Sequence, residues 1–263
     1  MDEIKLVEID GIKMNYFKFG TGPKNLIIIP GVSVKSVMEF KDAIIDQYRL
    51  FKNAFTIYVF DRRLNIISNY SIDDMVSDMI KVLDALELND LYVLGASQGG
   101  MIAGGIAIKR PDLVTKLVIA SSTMSVDDSA YIIFNEWSNY AKEYDSENLA
   151  KSFMNYVYTD QFANKYRDAI LDMAKTYTNE ELDRFLIMVK SMFLYDIADQ
   201  VSNISCKTFI ICSKGDKIFD YNNSIRINDK IYGSIIHIYD DYSHAVYDEA
   251  PDFSKLVYDF FMN

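Results

Sequence analysis

Histidine and cysteine are scarce in this chain of 263 residues, which has two of each: His237, His244, Cys206 and Cys212. Residues so few and so widely spread do not make a zinc site. The sequence also lacks a Gly-rich phosphate-binding or dinucleotide-binding motif and a His-Glu-x-x-His motif. We therefore expect neither a metal nor another cofactor.

The two cysteines lie on one predicted strand, six residues apart. At about 3.3 Å per residue this separation is roughly 20 Å, too far for a disulfide between them. Free thiols are typical of a reducing compartment, so we expect a cytoplasmic protein.

Basic charge is also in short supply, with 27 Lys and Arg against 38 Asp and Glu, a net charge of −11. An acidic chain repels phosphate backbones and anionic lipid surfaces, so we expect no nucleic-acid partner.

No apolar run approaches the roughly 18 to 20 residues of a spanning helix. The first ten residues lack the cationic and apolar regions of a signal peptide. The sequence thus predicts no membrane insertion.

Half of the residues are apolar (50%), and Gly and Pro number only 11 and 4. This composition excludes a disordered or collagen-like chain, and the length suits one large domain or a domain with an insertion.

Asp10-Gly11 predicts a hairpin turn between the first two strands. Further short apolar runs predict strands, and helical patterns fall between them. The predicted strands are Lys5 to Ile9, Met14 to Phe19, Asn25 to Pro30, Phe55 to Phe60, Leu91 to Leu94, Leu117 to Ala120, Thr208 to Cys212 and Ile235 to Tyr239.

Three helices are predicted from apolar spacing and end signals: Ser71 to Leu86, with Ser71 as its cap, Gln98 to Arg110, and Pro251 to Phe261. Strands that alternate with helices indicate parallel βαβ units and a three-layer α/β domain.

One segment, 123–205, has no clear strand and carries Tyr, Phe and Met at helical spacing. It predicts a helical cap inserted between core ranges 1–122 and 206–263. Core packing between helices is the favoured interpretation of its aromatic residues; the alternative is that some of them line an apolar pocket beneath a lid. The helices predicted here include Ser146 to Tyr158, Gln161 to Tyr177 and Asn179 to Val201.

The sequence around Ser97 reads Gly95-Ala96-Ser97-Gln98-Gly99-Gly100, between a predicted strand and a predicted helix. This is Gly-x-Ser-x-Gly in the setting of a nucleophile elbow. Gly95 and Gly99 flank the turn because a Cβ at either position would clash there while the serine backbone is strained. We interpret Ser97 as a nucleophile; the alternative is an ordinary helix cap.

A serine nucleophile needs a base, and the base needs an orienting acid. His237 lies inside a predicted strand, which favours a role in packing. His244 follows the carboxyl end of that strand, at the sheet edge where α/β domains place function. Asp216 follows the preceding strand, so we predict Asp216 as the acid. Asp220 is the second candidate, and Asp240 and Asp241 are weaker ones.

Backbone N–H groups must stabilise the oxyanion of an acyl-transfer reaction. The N–H of Gln98, directly after the nucleophile, is one predicted donor. The N–H of Val32, in the loop after the third strand, is the other. The alternative for Pro30-Gly31 is an ordinary turn.

With these motifs the chain resembles the α/β-hydrolase-fold proteins with a helical cap, of the esterase, lipase and haloperoxidase-like group. Besides the Ser97 turn, 213–219 resembles the acid loop of that family and 243–251 its histidine loop. The resemblance implies a mostly parallel, roughly eight-stranded sheet with Ser97, Asp216 and His244 as a catalytic triad. Two segments depart from the family: Pro30-Gly31 replaces the usual His-Gly, and 61–66 replaces a Gly-rich turn with Arg and Ser.

The main hypothesis is a serine hydrolase that cleaves a carboxylic ester or thioester of a small apolar substrate through an acyl-enzyme. The same triad could instead serve cofactor-free C–C hydrolysis, a lyase step or perhydrolysis. A third hypothesis is a ligand sensor that retains a slow hydrolase site. Either a monomer or a homodimer is compatible with the sequence.

Overall fold

A computed structural model describes residues 3–263; Met1 and Asp2, at the start of the predicted core range 1–122, lie outside the described residues. The predicted α/β fold is confirmed. Eight strands form one sheet in the order β1-β2-β4-β3-β5-β6-β7-β8 within the described range. The strands are β1 Lys5–Ile9, β2 Ile12–Phe19, β3 Lys24–Ile29, β4 Phe55–Arg63, β5 Leu91–Ala96, β6 Val114–Ala120, β7 Lys207–Ser213 and β8 Ile235–Tyr239.

Helices follow most of the strands and cover both faces of the sheet. They are α1 Lys41–Gln47, α2 Ile72–Ala85, α3 Gln98–Lys109, α4 Asp128–Lys142, α5 Ser146–Val157, α6 Asp160–Ala174, α7 Asn179–Lys190, α8 Tyr221–Lys230, α9 Val246–Glu249 and α10 Phe253–Met262. Among residues 3–263, none of these helices combines the length and the apolar character needed to cross a membrane.

Strand direction places the loops that matter for function. β1 and β2 form the predicted hairpin, and β2 runs antiparallel to β4. From β4 to β8 every neighbouring pair is parallel. The loops after β3, β5, β7 and β8 therefore leave the sheet at the same edge.

The parallel strands are buried on both faces, as their continuous apolar sequences predict. In β3, Ile27 and Ile29 belong to the core beneath α2 and α3. Leu26 and Ile28 belong to the core on the opposite face, together with Phe261 of α10. Each face of the sheet thus has its own packed core.

Helices α4 to α7 lie between β6 and β7, inside the predicted cap range 123–205. The aromatic residues there divide into two groups. Trp137 is buried, with its ring centroid 4.9 Å from that of Phe153 and 6.5 Å from that of Phe185. Tyr131 and Tyr144 are exposed. Packing between helices therefore accounts for only some of the aromatic residues.

Three predicted helix boundaries are wrong. The helix predicted over Gln161 to Tyr177 ends at Ala174. The helix predicted over Asn179 to Val201 ends at Lys190. Beyond it the chain turns, and the Ile197 N–H donates to the Met124 carbonyl while the Tyr195 carbonyl accepts from Val126. Tertiary pairing with the chain after β6 thus replaces further helical hydrogen bonds.

The final helix begins at Phe253, after a turn, rather than at Pro251. Helices α1 and α8 were not predicted. Helix α1 has no buried residue, and α8 buries only Ser224 and Ile227. Neither helix therefore presents a wide apolar stripe to the core, and such a stripe is the signal from which a helix is predicted.

Helix α2 begins with a capping box, as the sequence predicts for Ser71. The Ser71 hydroxyl accepts from the Asp74 N–H at 3.1 Å, and the Asp74 carboxylate accepts from the Ser71 N–H at 2.9 Å. Ser71→Ala should lower the free energy of unfolding by about 1 kcal/mol, because it leaves the Asp74 N–H without its cap. Urea unfolding measures this loss.

Ser77→Ala is the matched control in the same helix. The Ser77 hydroxyl donates only to the Asp73 carbonyl one turn back, at 2.8 Å. Such a bond adds little to a helix, so the change in free energy should stay within about 0.5 kcal/mol. Equal losses in the two variants would contradict the cap interpretation.

Candidate active site

The Ser97 turn connects β5 to α3 through a left-handed backbone conformation, with φ 53° and ψ −124°. Such a conformation costs on the order of 1–3 kcal/mol in a residue with a Cβ. Two contacts hold it in place. The Ser97 N–H donates to the Ala120 carbonyl at 2.9 Å. The Ser97 carbonyl accepts from the Ser122 hydroxyl at 2.7 Å.

The glycines beside Ser97 permit a close approach between backbones. A Cβ on Gly95 would lie 2.4 Å from the Gly99 carbonyl oxygen, and one on Gly99 would lie 1.9 Å from the Ile29 carbonyl oxygen. Helix α3 therefore starts in direct contact with the end of β3. The Ser97 side chain makes no cap bond to that helix. It is thus not an ordinary helix cap.

The structure brings Ser97, His244 and Asp216 together. His244 Nε2 lies 2.9 Å from Ser97 Oγ, and His244 Nδ1 lies 2.8 Å from Asp216 Oδ2. Because the carboxylate accepts from Nδ1–H, Nε2 is left to accept the serine proton. The side chains of His244 and Asp216 are almost fully buried, at 2% and 1% exposure.

Both oxygens of the Asp216 carboxylate have hydrogen-bond partners. Its Oδ1 accepts from the N–H groups of Ile218 and Phe219 at 2.8 and 2.9 Å, which leaves Oδ2 for His244. Two backbone donors hold the orientation of a carboxyl group. Asp216 is therefore fixed by its own loop.

The other candidate acids are occupied elsewhere or lie apart from the histidine. Asp220 caps α8 by accepting from the Asn222 N–H at 2.8 Å. Asp240 pairs with Lys214 at 2.6 Å and is largely exposed, and Asp241 is exposed. Of the four predicted candidates, only Asp216 contacts His244.

The histidine loop is anchored to α5 and to the acid loop. The Ala245 N–H donates to the Val157 carbonyl at 2.9 Å. The Phe219 ring packs edge-on against the His244 ring, with centroids 5.5 Å apart. The second histidine, His237, lies in edge strand β8 and packs against Tyr239 at 4.4 Å, as predicted.

The two predicted oxyanion donors lie in segments that touch Ser97. A Cβ on Gly31, next to Val32, would lie 3.6 Å from Ser97 Oγ. Gln98 follows Ser97 directly and is fully buried. Within residues 3–263, the backbone N–H groups of Val32 and Gln98 donate to no protein acceptor. Neither N–H is therefore committed to a bond within the described chain.

Arg62 is a site residue that the sequence interpretation missed. Its Nη2 donates to the Pro30 carbonyl at 2.7 Å, and its Nε and Nη2 donate to the Gln98 side-chain oxygen at 3.2 and 3.1 Å. One guanidinium thus links the segments of both predicted oxyanion donors. Desolvation lowers the pKa of Arg62 to about 10, so it stays protonated at neutral pH. In the sequence, the Arg62-Arg63 pair at the end of β4 could have indicated a cation near the site. Only the fold shows that Arg62 is the buried member of the pair.

Helix α7 is tied to the same network. The Gln98 amide donates to the Met188 carbonyl at 2.9 Å. Arg184 pairs at 3.0 Å with Asp61, whose second oxygen accepts from the Ser36 hydroxyl at 2.5 Å. The predicted cap range therefore contributes directly to the support beneath the Ser97 turn.

A cavity of about 350 Å³ lies beside Ser97, between the loop after β3 and helices α5 and α6. Its walls are mostly apolar and aromatic, and Lys35 and Asp248 are the charged residues that line it among those described. Lys35 Nζ pairs with Glu181 at 2.9 Å. Burial raises the pKa of Asp248 to about 7. Among residues 3–263, no group of three or more His, Cys, Asp or Glu side chains is placed to hold a metal ion.

Two curated relatives cover most of the chain. Human serine hydrolase BPHL is 22% identical over 269 residues, which cover 97% of this chain and 84% of that protein. The 2-hydroxy-6-oxononadienedioate/2-hydroxy-6-oxononatrienedioate hydrolase 1 of Pseudomonas putida is 24% identical over 208 residues, which cover 74% and 72%.

Among solved structures, the alpha/beta hydrolase MGS-M2 from a Medee basin deep-sea metagenome library superposes with a TM-score of 0.88. It is 21% identical, and the match covers 98% of each chain. The model of the alpha/beta hydrolase fold family matches residues 26–251, which include the Ser97 turn and the loops that carry Asp216 and His244. The chain therefore belongs to the alpha/beta hydrolase fold family.

Proposed function

We propose that the protein is a serine hydrolase that cleaves a carboxylic ester or thioester of a small, mainly apolar substrate through an acyl-enzyme. The observation that carries this proposal is the continuous hydrogen-bond chain from Ser97 Oγ through His244 to Asp216, at 2.9 and 2.8 Å. Nucleophile, base and orienting acid are in reach of one another without any rearrangement.

Acylation begins when His244 Nε2 takes the Ser97 proton as Oγ attacks the carbonyl carbon. Asp216 stabilises the imidazolium that forms. The oxyanion accepts from the N–H groups of Val32 and Gln98, the role we assign to them. The imidazolium then gives its proton to the leaving alcohol or thiol, and the acyl group stays on Ser97.

Deacylation repeats these steps with water as the nucleophile. His244 takes a proton from water, the hydroxide attacks the acyl carbon, and the same two N–H groups hold the second oxyanion. Ser97 Oγ regains the proton as it leaves, and the acid is released.

The cavity beside Ser97 supports an apolar group in the substrate. It is lined by aliphatic and aromatic side chains, among them Val34, Leu149, Phe153 and Tyr177. Burial of apolar surface there contributes about 25 cal/mol per Å² to binding before the costs of association.

Carbon–carbon hydrolysis with the same triad is the second candidate. It is favoured by the similarity to the Pseudomonas putida hydrolase, whose named substrates are dicarboxylates. The charges in the cavity argue against a substrate of that charge type, because Lys35 is already paired and Asp248 would repel an anion. A substrate screen with esters and β-diketones separates the two reactions. The lyase, perhydrolase and ligand-sensor hypotheses stay predictions.

Ser97→Ala and His244→Ala should each lower kcat for a short p-nitrophenyl ester by a factor on the order of 10⁶, because the triad acts as a unit. A fluorophosphonate should label the native protein on the peptide that contains Ser97, and neither variant should be labelled there. Ester hydrolysis and mass spectrometry of the digested protein measure the two effects.

His237→Gln is the matched control, since it changes the other histidine of the chain. It should keep both the labelling and the hydrolysis rate. Native turnover by Ser97→Ala, or label on a different serine, would overturn the proposed mechanism.

Arg62→Lys should lower kcat by about 100-fold and change KM little, because the single nitrogen of a lysine cannot reproduce the three bonds that Nε and Nη2 make to Pro30 and Gln98, and the oxyanion donors lose their alignment. Arg63→Lys, the same change in the neighbouring residue, should leave kcat within about threefold, since Arg63 pairs with Asp78 away from the Ser97 turn. Steady-state kinetics decides the outcome. A similar effect in both variants, or an effect on KM alone, would show that Arg62 does not position the donors.

A further inference from the structure

Asp248 places a carboxylate at the wall of a cavity that is otherwise mostly apolar. The residue is exposed and is one of those that line the cavity. Within the described chain its side chain has one hydrogen-bond partner, the Tyr158 hydroxyl, at 3.4 Å. A carboxylate with so few protein partners can accept a ligand that enters the cavity.

No cation of the described chain neutralises Asp248. Lys35, the other charged residue at the cavity wall, donates to both oxygens of Glu181 at 2.9 and 3.0 Å and to the Thr176 carbonyl at 3.1 Å. Its three donors are thus used. Burial keeps the pKa of Tyr158 and Tyr247 well above the usual range, so these hydroxyls stay neutral. The cavity therefore carries one unpaired negative charge whenever Asp248 is ionised.

The charge lies close to the reacting atoms. Asp248 belongs to α9, which starts two residues after His244. Tyr247, from the same helix, also lines the cavity, and its ring centroid is 6.4 Å from that of His244. Gly31, where a Cβ would lie 3.6 Å from Ser97 Oγ, lines the cavity as well. A group attached to the acyl carbon can thus enter the cavity from Ser97.

We propose that Asp248 binds an organic ammonium group carried by the part of the substrate that enters this cavity, so that the enzyme selects cationic over neutral esters. The proposal rests on the esterase activity proposed above and names its substrate class. The carboxylate supplies the counter-charge. The rings of Tyr158, Tyr177 and Tyr247 line the same cavity and provide faces to which a cation is attracted.

The test compares two p-nitrophenyl esters of equal shape. One carries γ-trimethylammoniobutanoate and the other its neutral isostere, with carbon in place of nitrogen. The ratio of their kcat/KM values isolates the contribution of the charge, because His244 and Ser97 act on both esters alike. Asp248→Asn should lower this ratio about tenfold, which corresponds to 1.4 kcal/mol. Asp259→Asn, an exposed acid paired with Lys255 on α10, is the control and should leave the ratio unchanged.

The ratio should also depend on pH. Desolvation raises the pKa of Asp248 to about 7, so the carboxylate forms between pH 6 and pH 8. Over this range kcat/KM for the cationic ester should rise relative to kcat/KM for the neutral ester. The fixed charge of the quaternary ammonium does not titrate. The dependence should disappear in Asp248→Asn. The titratable groups that act on Asp248 are Tyr158, Glu249, His244, Tyr247 and Tyr48. The Glu249 carboxylate itself accepts from the Thr159 N–H.

Stability provides a second measurement on the same variant. The folded protein holds the Asp248 proton more tightly than an unfolded chain, so ionisation destabilises the fold as the pH rises from 3.8 to about 7. Asp248→Asn should therefore raise Tm at pH 8 and change it little at pH 4. This result also shows that the variant is folded.

Binding to Ser97→Ala separates this inference from the proposed reaction. By calorimetry, γ-trimethylammoniobutanoate should bind this variant more tightly than the isosteric acid whose tail is uncharged. Adding Asp248→Asn to the variant should remove the difference. Equal binding of the two acids, or an ester ratio that Asp248→Asn leaves unchanged, would overturn the inference. If native protein hydrolyses neither ester, the proposed function fails, and the binding comparison still decides the role of Asp248.

Discussion

The contact between the start of α3 and the end of β3 is the constraint on which the site depends. Gly99 lies so close to the Ile29 carbonyl that no side chain fits between them. This contact forces the chain through a left-handed residue at Ser97, where a hydroxyl projects toward the loop of His244. The strain is local, and the bonds from Ser97 to Ala120 and Ser122 in and after β6 hold it. Ser97, His244 and the segments of the predicted oxyanion donors then meet because parallel strands release their loops at one edge.

Around this turn the structure uses charge in two different ways. Arg62 is a buried cation whose donors are directed at carbonyl and amide oxygens, and it joins the segments that hold the predicted oxyanion donors. Asp61 and Arg184 extend the network to α7. Buried polar groups that are satisfied in this way stiffen a site, since any displacement breaks several bonds together.

Asp248 is the opposite case. Among residues 3–263 it has a single long hydrogen bond and no paired cation, and desolvation raises its pKa to about 7. A group that weakens the fold is typical of a site in which binding matters more than stability. Arg62 thus has its donors satisfied by protein oxygens, whereas Asp248 is the residue to which we assign a ligand.

The sequence determined the features that depend on local rules. Strand and helix order follows from apolar periodicity, and the Ser97 turn follows from glycines whose spacing has one steric reason. The loop positions of Asp216 and His244 follow from strand direction. The sequence put Asp216 first among the candidate acids, and tertiary structure decided that it contacts the histidine and that Asp220 and Asp240 do not. Loop carboxylates look alike until their neighbours are known. Tertiary structure also decided where α7 ends, which of two adjacent arginines is buried, and that Asp248 faces a cavity, since each depends on contacts between segments far apart in the chain.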